Sequence, residues 1–201
     1  MLRRMGALVT MLSGLGAACA TMQAPPLRAT DEKVDLERFM GDWYVLGFIP
    51  VDTPVFSEAD AHNAVESYRL SPDGSIATTY TFRRGSFDAP VKRMTPKGFV
   101  HDRSTRAEWR MQFLWPFRSV YLIVHRDEAY ETTIVGVPDR QHVWLMARRP
   151  DLPEADYAAL VALAEKAGYD ARRIRRVPQR WTDEEWAVRG ISKPAGAGGG
   201  R

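Results

Sequence analysis

Glu66 and Tyr68 stand two residues apart in Ala64–Leu70, a segment whose side chains alternate in polarity. On an extended chain that spacing puts both on one face. The turn signal Ser71-Pro72-Asp73-Gly74 follows, and Ile76-Ala77-Thr78-Thr79-Tyr80-Thr81-Phe82 alternates again. A hairpin across that turn groups Tyr80 with Glu66 and Tyr68. An acid beside phenols is a residue set for general acid–base chemistry. The other reactive side chains are less organised. His62, His101, His125 and His142 are dispersed, with no pair at metal-ligand spacing, so no metal is expected. There is no Gly-x-Ser-x-Gly elbow. His125-Arg126-Asp127 lacks the Gly-rich loop and downstream Asn of a kinase catalytic loop. Arg172, Arg173, Arg175 and Arg176 form a basic cluster, either a solvated face or a seat for anionic headgroups.

The elements that must position these residues are short strands. Beside the hairpin, strands are expected at Gly41–Ile49, Lys97–His101, Ala107–Phe113, Val120–Arg126, Glu131–Val137 and Val143–Arg148. Eight strands joined by short turns predict an antiparallel sandwich or a closed barrel. One helix interrupts them. Asp151-Leu152-Pro153-Glu154 opens it, Tyr157, Leu160, Val161, Ala164 and Ala167 give it one apolar face, and Gly168 ends it. Ile174–Val177 reads as a last strand. Thr182 with Glu185 is a capping box for a short helix over Trp181–Ala187.

The composition is that of a globular protein: 201 residues, 45% hydrophobic and 26% charged, with 15 Gly and 13 Pro, which argues against a fibrous or wholly disordered chain. The single cysteine excludes an intramolecular disulfide and a Cys-rich zinc module. The net charge of +3 includes Arg3 and Arg4 of the N-terminal segment, so basicity gives no argument for nucleic acid. Behind those arginines, Met5–Ala18 is apolar or small and uncharged, shorter than the roughly 20 residues a membrane span needs. Residues 1–18 read as a signal peptide. Leu15-Gly16-Ala17-Ala18-Cys19 resembles the lipobox of bacterial lipoproteins, although its Leu stands four residues before the Cys and the usual one stands three before. That resemblance implies a lipid anchor on Cys19, and Ala20 in place of Asp implies the periplasmic face of the outer membrane. Ordinary secretion, with a cut near Ala18-x-Ala20, is the alternative. Residues 19–33 are expected to be a tether, 34–180 the folded barrel, and 181–201 the short helix followed by a disordered Gly/Ala-rich tail.

Asp35-Leu36-Glu37-Arg38-Phe39-Met40-Gly41-Asp42-Trp43-Tyr44 resembles the lipocalin signature, a helical turn leading into Gly-x-Trp-Tyr. Gly136–Arg140 ahead of Val143–Pro150 is similar to the family's later motifs, with the characteristic Arg at Arg148. Phe113-x-x-Pro116-Phe117 followed by Tyr121–Asp127 resembles the bacterial, apolipoprotein D-like subgroup. The resemblance spans about Val34 to Val177. It implies an all-β fold: an eight-stranded antiparallel up-and-down barrel with one C-terminal helix packed outside. It makes Gly41, Trp43 and Arg148 structural, with Trp43 plugging the closed end and Arg148 against its ring.

The interior of such a barrel is wide enough for one small ligand. Strand parity from Trp43 brings Val45, Gly47 and Ile49 inward and sends Tyr44, Leu46 and Phe48 outward, under the helix or into a homodimer patch. The other inward stripes are Glu66 and Tyr68; Ile76, Thr78, Tyr80 and Phe82; Trp109, Met111 and Phe113; Tyr121 and Ile123; and Trp144 with Met146. Ile49, Glu66, Tyr68, Tyr80, Phe82, Trp109, Met111, Phe113, Tyr121, Ile123 and Trp144 are the candidate ligand residues. The aromatic turn Phe113-Leu114-Trp115-Pro116-Phe117 is a mouth flap, a membrane wedge, or a turn folded back on the barrel. The resemblance implies a non-enzymatic carrier of fatty acid or lysophospholipid, with no cofactor. Lipocalin-like barrels also host isomerases and tetrapyrrole binders. An enzyme would use Glu66, and a haem protein would need a cavity histidine, with His125 the candidate.

Overall fold

The computed structural model describes residues 25–189 and residue 193. Cys19, the leader and the Gly/Ala-rich tail beyond residue 193 lie outside the described residues. Helix α1 (Leu36–Phe39) is capped by Asp35, whose carboxylate accepts from the amides of Glu37 and Arg38 at 3.0 and 3.2 Å. Gly41, at φ +99°, then turns the chain into β1 (Gly41–Ile49). A Cβ there would lie 3.2 Å from the guanidinium of Arg148.

Strands β2 (Ala61–Leu70), β3 (Ile76–Arg84), β4 (Val91–Met94), β5 (Lys97–Val100), β6 (Glu108–Leu114), β7 (Phe117–Arg126), β8 (Thr132–Gly136) and β9 (Val143–Ala147) follow in order. Each pairs antiparallel with its neighbour, and β4 and β5 share one position beside β3. Pairing of β1 with β9 closes an eight-stranded up-and-down barrel. The short β10 (Arg175–Arg176) pairs with Gly47 and Phe48. β4 was not expected: Val91-Lys92-Arg93-Met94 is brief and polar at its centre.

Helix α2 (Glu154–Lys166) buries Tyr157, Leu160 and Ala164 against the outside of the barrel. Its start carries no side-chain cap, because the N-cap position is Pro153, which has no side-chain acceptor. Leu160 and Ala164 share one outer cluster with Ile49, Leu122, Ile134, Val143 and Leu145. A second outer cluster joins Tyr44, Leu46, Val65 and Ala147 to Tyr157, Trp181 and Trp186. Trp186 belongs to α3 (Asp183–Arg189) and stacks on Trp181 with ring centroids 4.3 Å apart. Tyr44 and Leu46 are therefore covered by the chain's own C-terminal segment and form no homodimer patch. The described part of the expected tether is bonded to the barrel: Leu27 is buried, its amide donates to Pro138 O, and the Thr30 amide donates to Ile123 O.

The parity expected for β1 holds only as far as Val45. Val45 opposes Met146 but Gly47 opposes Leu145, so one extra residue bulges between them. Beyond such a bulge every side chain changes face. Phe48, expected outside, sits in the barrel interior, and Ile49, expected to line the cavity, packs outward under α2. Gly47 meets the helix: a Cβ there would come within 2.5 Å of Tyr157 Oη. Gly47→Ala is accordingly expected to cost about 1–3 kcal/mol by overpacking, measured by urea denaturation. A loss below about 0.5 kcal/mol would show that α2 yields freely at this contact.

Candidate ligand cavity

The closed end is built first. Trp43 donates from Nε1 to Phe39 O at 2.8 Å and is fully buried. Phe39 packs on its ring with centroids 5.0 Å apart, and Tyr68 and Trp109 meet Phe39 in turn at 5.7 and 5.5 Å. The Arg148 guanidinium lies 3.7 Å from the centroid of Trp43. Its nitrogens donate to Asp42 O at 2.9 Å, Arg38 O at 2.7 Å and Tyr130 O at 3.2 Å. One planar side chain thus ties α1, the start of β1 and the β7–β8 turn together. Burial lowers its pKa to about 10, so it stays charged at neutral pH.

Above this plug lies a cavity of about 380 Å³. Of the expected ligand residues, Glu66, Tyr80, Met111, Phe113, Tyr121 and Trp144 border it. Tyr68, Phe82, Trp109 and Ile123 are buried in the barrel interior but lie behind the lining. Ile49 is outside. Residues outside the expected inward stripes complete the wall: Val51, Phe56 and Glu58 from the β1–β2 connection, Met94 at the end of β4, Pro96 after it, Ser119 and Val120 of β7, Val137 after β8, and His142 before β9. Two carboxylates and one histidine border the cavity; no lysine or arginine does, among the described residues. His125 does not border it. It is half-buried beside Asp127, and burial lowers its pKa.

Glu66 opposes Trp43 on β1 and Tyr80 on β3, which sets it at the floor. It lies deep in the barrel yet keeps some accessible surface, which faces the cavity. Its Oε2 has no hydrogen-bond partner, nor have Tyr80 Oη and Thr78 Oγ1. Glu58 reaches in from the connecting loop and is 2% exposed. It accepts from the Val51 amide at 2.9 Å and Trp144 Nε1 at 3.2 Å. The Tyr80 hydroxyl is near enough to Glu58 for each to affect the other's titration, but no bond of normal geometry joins them. Tyr68 and Tyr121 hydrogen-bond to each other through their hydroxyls.

Burial governs the electrostatics. It drives Glu66 well above the carboxylate range, and the charge of Glu58 pushes the same way. Glu58 is also raised by burial, against the bonds from Val51 and Trp144 and the nearness of His142. Tyr68, Tyr80 and Tyr121 are raised well above 10, first by burial, so all three stay protonated and act as donors, not bases. The acid-beside-phenols arrangement is therefore present. Its chemistry is proton and hydrogen-bond donation into an apolar space. His142 bonds through Nδ1 to Pro50 O at 3.0 Å; a carbonyl only accepts, so that nitrogen carries the proton.

At the mouth, Phe113, Leu114, Trp115 and Phe117 of the β6–β7 turn are 57, 71, 81 and 73% exposed. The turn is not folded back on the barrel. Among the described residues, no helix is long and apolar enough to cross a membrane.

Comparison with known proteins agrees with this architecture. The model of the Lipocalin-like domain family matches residues 34–179. Temperature-induced lipocalin-1 of Arabidopsis thaliana is 27% identical over 166 residues, covering 76% of this chain and 83% of that protein. Outer membrane lipoprotein Blc of Escherichia coli K12 is 24% identical over 168 residues, covering 82% of this chain and 90% of that protein. Among solved structures, insecticyanin from the tobacco hornworm Manduca sexta superimposes with a TM-score of 0.59 at 13% identity, covering 81% of this chain and 87% of that one. The cockroach allergen Per a 4 does so with 0.56 at 16%, covering 83% and 98%. With the family model spanning the whole barrel, from the capped turn before Gly41 to the strand beyond α2, the chain belongs to the lipocalin family.

Proposed function

We propose that the chain reversibly binds an elongated hydrophobic molecule, an acyl-chain amphiphile of the fatty acid or lysophospholipid class, and does so as an envelope lipoprotein held through Cys19. The observation that carries the reading is the cavity of about 380 Å³ enclosed by Met111, Phe113, Tyr121, Trp144, Phe56 and Val51. That volume lies within the range of small-molecule sites, roughly 300–1,000 Å³. Each methylene taken from water contributes about 0.8 kcal/mol. The walls are strands and buried side chains already in place, so little ordering entropy opposes binding. With no lysine or arginine at the lining among the described residues, a carboxylate or phosphate head stays at the mouth. There the exposed turn Phe113–Phe117 suits contact with a lipid surface from which a chain is drawn. The apolar leader, Cys19 and the likeness to an outer membrane lipoprotein support the envelope location.

The test is a chain-length series of saturated fatty acids up to palmitate and of the matching lysophospholipids, titrated against quenching of tryptophan fluorescence. Each added methylene is expected to tighten Kd about fourfold until the cavity is full. Affinity that does not change with chain length, or no binding at any length, would sink the reading.

A further inference from the structure

The two buried carboxylates have no role in holding an acyl chain. Taking a carboxylate out of water is unfavourable unless a cation or a set of donors meets it. Glu58 has two donors, Val51 N and Trp144 Nε1. Glu66 Oε2 has none, and among the described residues no lysine or arginine borders the cavity, His142 lying on the Glu58 side. Tyr80, 2% exposed, also borders the cavity, and its buried hydroxyl, near Glu58, makes no hydrogen bond of normal geometry.

Around these groups the walls are aromatic. Tyr121 and Trp144 both border the cavity, their ring centroids 6.1 Å apart and their planes 28° from parallel. Tyr80 stacks on Phe82 at 5.1 Å, and Phe56 meets Phe82 edge-on at 6.0 Å. Aromatic rings together with carboxyl groups that ionise beside a positive charge form surroundings that an organic cation finds favourable in a desolvated site. The same surroundings disfavour an anion.

We propose that the inner cavity, between Glu66 at its floor and Glu58 on its wall, is a subsite for the ammonium group of a cationic amphiphile, which enters head first with its alkyl chain running out past Met111 and Phe113. The inference rests on the reading of the cavity as a site for a hydrophobic chain, and adds the class of head group it selects. On entering, the ammonium supplies the counter-charge beside which the two carboxyl groups ionise. It donates to the side of the Glu66 carboxyl that borders the cavity and to Glu58, and it lies against the rings of Tyr121 and Trp144. A carboxylate head of the same chain length meets two acids there and, among the described residues, no lysine or arginine, so it binds with the head outward.

The test compares three probes of one chain length on the full barrel: dodecylammonium, 1-dodecanol and dodecanoate, each below its aggregation limit, with Kd from tryptophan quenching or calorimetry. Dodecylammonium is expected to bind at least about tenfold more tightly than dodecanoate. In Glu66→Gln, and separately in Glu58→Gln, the ammonium-to-dodecanol affinity ratio is expected to fall about tenfold or more. Dodecanoate binding as tightly as the ammonium, or a ratio unmoved in both variants, overturns the subsite while the chain-binding reading stands. Failure of all three probes to bind overturns both. The comparison on the unaltered protein needs no variant, so a variant that fails to fold does not decide the outcome.

Discussion

Arg148→Ala is expected to destabilise the barrel by about 3–5 kcal/mol. The magnitude follows from what the guanidinium holds. Three carbonyls, those of Arg38, Asp42 and Tyr130, receive its donors, and the Trp43 ring lies 3.7 Å away. A charge-assisted hydrogen bond contributes about 1.5–3 kcal/mol and a desolvated cation–π contact about 2, with losses less than additive for groups on one side chain. Arg148→Lys keeps the charge but not the planar fork, so it should lose about half as much. The measurement is urea denaturation followed by circular dichroism. A loss under about 1 kcal/mol for the alanine variant would mean that the plug is held by Phe39 and Trp109 packing alone. Neither Arg148 nor Trp43 borders the cavity. Where the variant remains folded, its affinity for an alkyl chain should therefore stay within about twofold of the parent.

Glu66→Gln is expected to change stability in the opposite direction, and only above acid pH. In the unfolded chain this carboxyl titrates near the ordinary value of 4.5, and burial raises it in the folded barrel. Below about pH 4 it is protonated in both states and contributes nothing. As pH rises past the unfolded value, the unfolded chain ionises first, and folded stability falls by up to about 1.4 kcal/mol per pH unit until the native value is passed. The glutamine variant escapes that fall. It should match the parent near pH 4 and exceed it by about 1–3 kcal/mol at pH 8, without ligand. His125 acts the other way: its lowered pKa makes the barrel less stable as pH falls through the ordinary histidine range. That contribution is common to both proteins and cancels in the difference. Arg148, lowered to about 10, enters only in strongly alkaline solution. Denaturation midpoints at several pH values decide the matter. A constant difference between the proteins would mean that Glu66 titrates alike in the folded and unfolded states, and a variant weaker than the parent at pH 8 that its charge is stabilised by partners in the folded state.

The two variants also separate what Gly41-Asp42-Trp43-Tyr44 and Glu66 are for. The first belongs to the frame that closes the barrel. The second carries a cost to that frame, which is reason to look for a bound group that offsets it.

What the amino-acid order determined by itself is the local part. Alternation along Trp109–Phe113 and Ile76–Phe82, the turn at Ser71–Gly74 and the apolar face of Tyr157, Leu160 and Ala164 specify strands, hairpin and helix, because side-chain direction repeats every two residues in one and every 3.6 in the other. Gly41, Trp43 and Arg148 were legible through motif and spacing. Glu66 and Tyr80 were also brought together as cross-strand partners, because register in a tight hairpin is set by its turn. Tertiary structure decided the rest. The face shown by Phe48 and Ile49 depends on a bulge set by the pairing of β1 with β9, whose residues lie about a hundred positions downstream, and by the approach of Tyr157 to Gly47. The fold of Leu27 and Trp186 onto the barrel depends on outer surface that exists only once the sheet has closed. Glu58 stands in a connection with no period to read. It becomes a cavity residue only when the Val51 amide and the Trp144 indole draw its carboxylate inward. A periodic pattern reports which face a side chain shares with its neighbours in sequence; a hydrogen bond across the barrel is made with partners that only chain closure brings near.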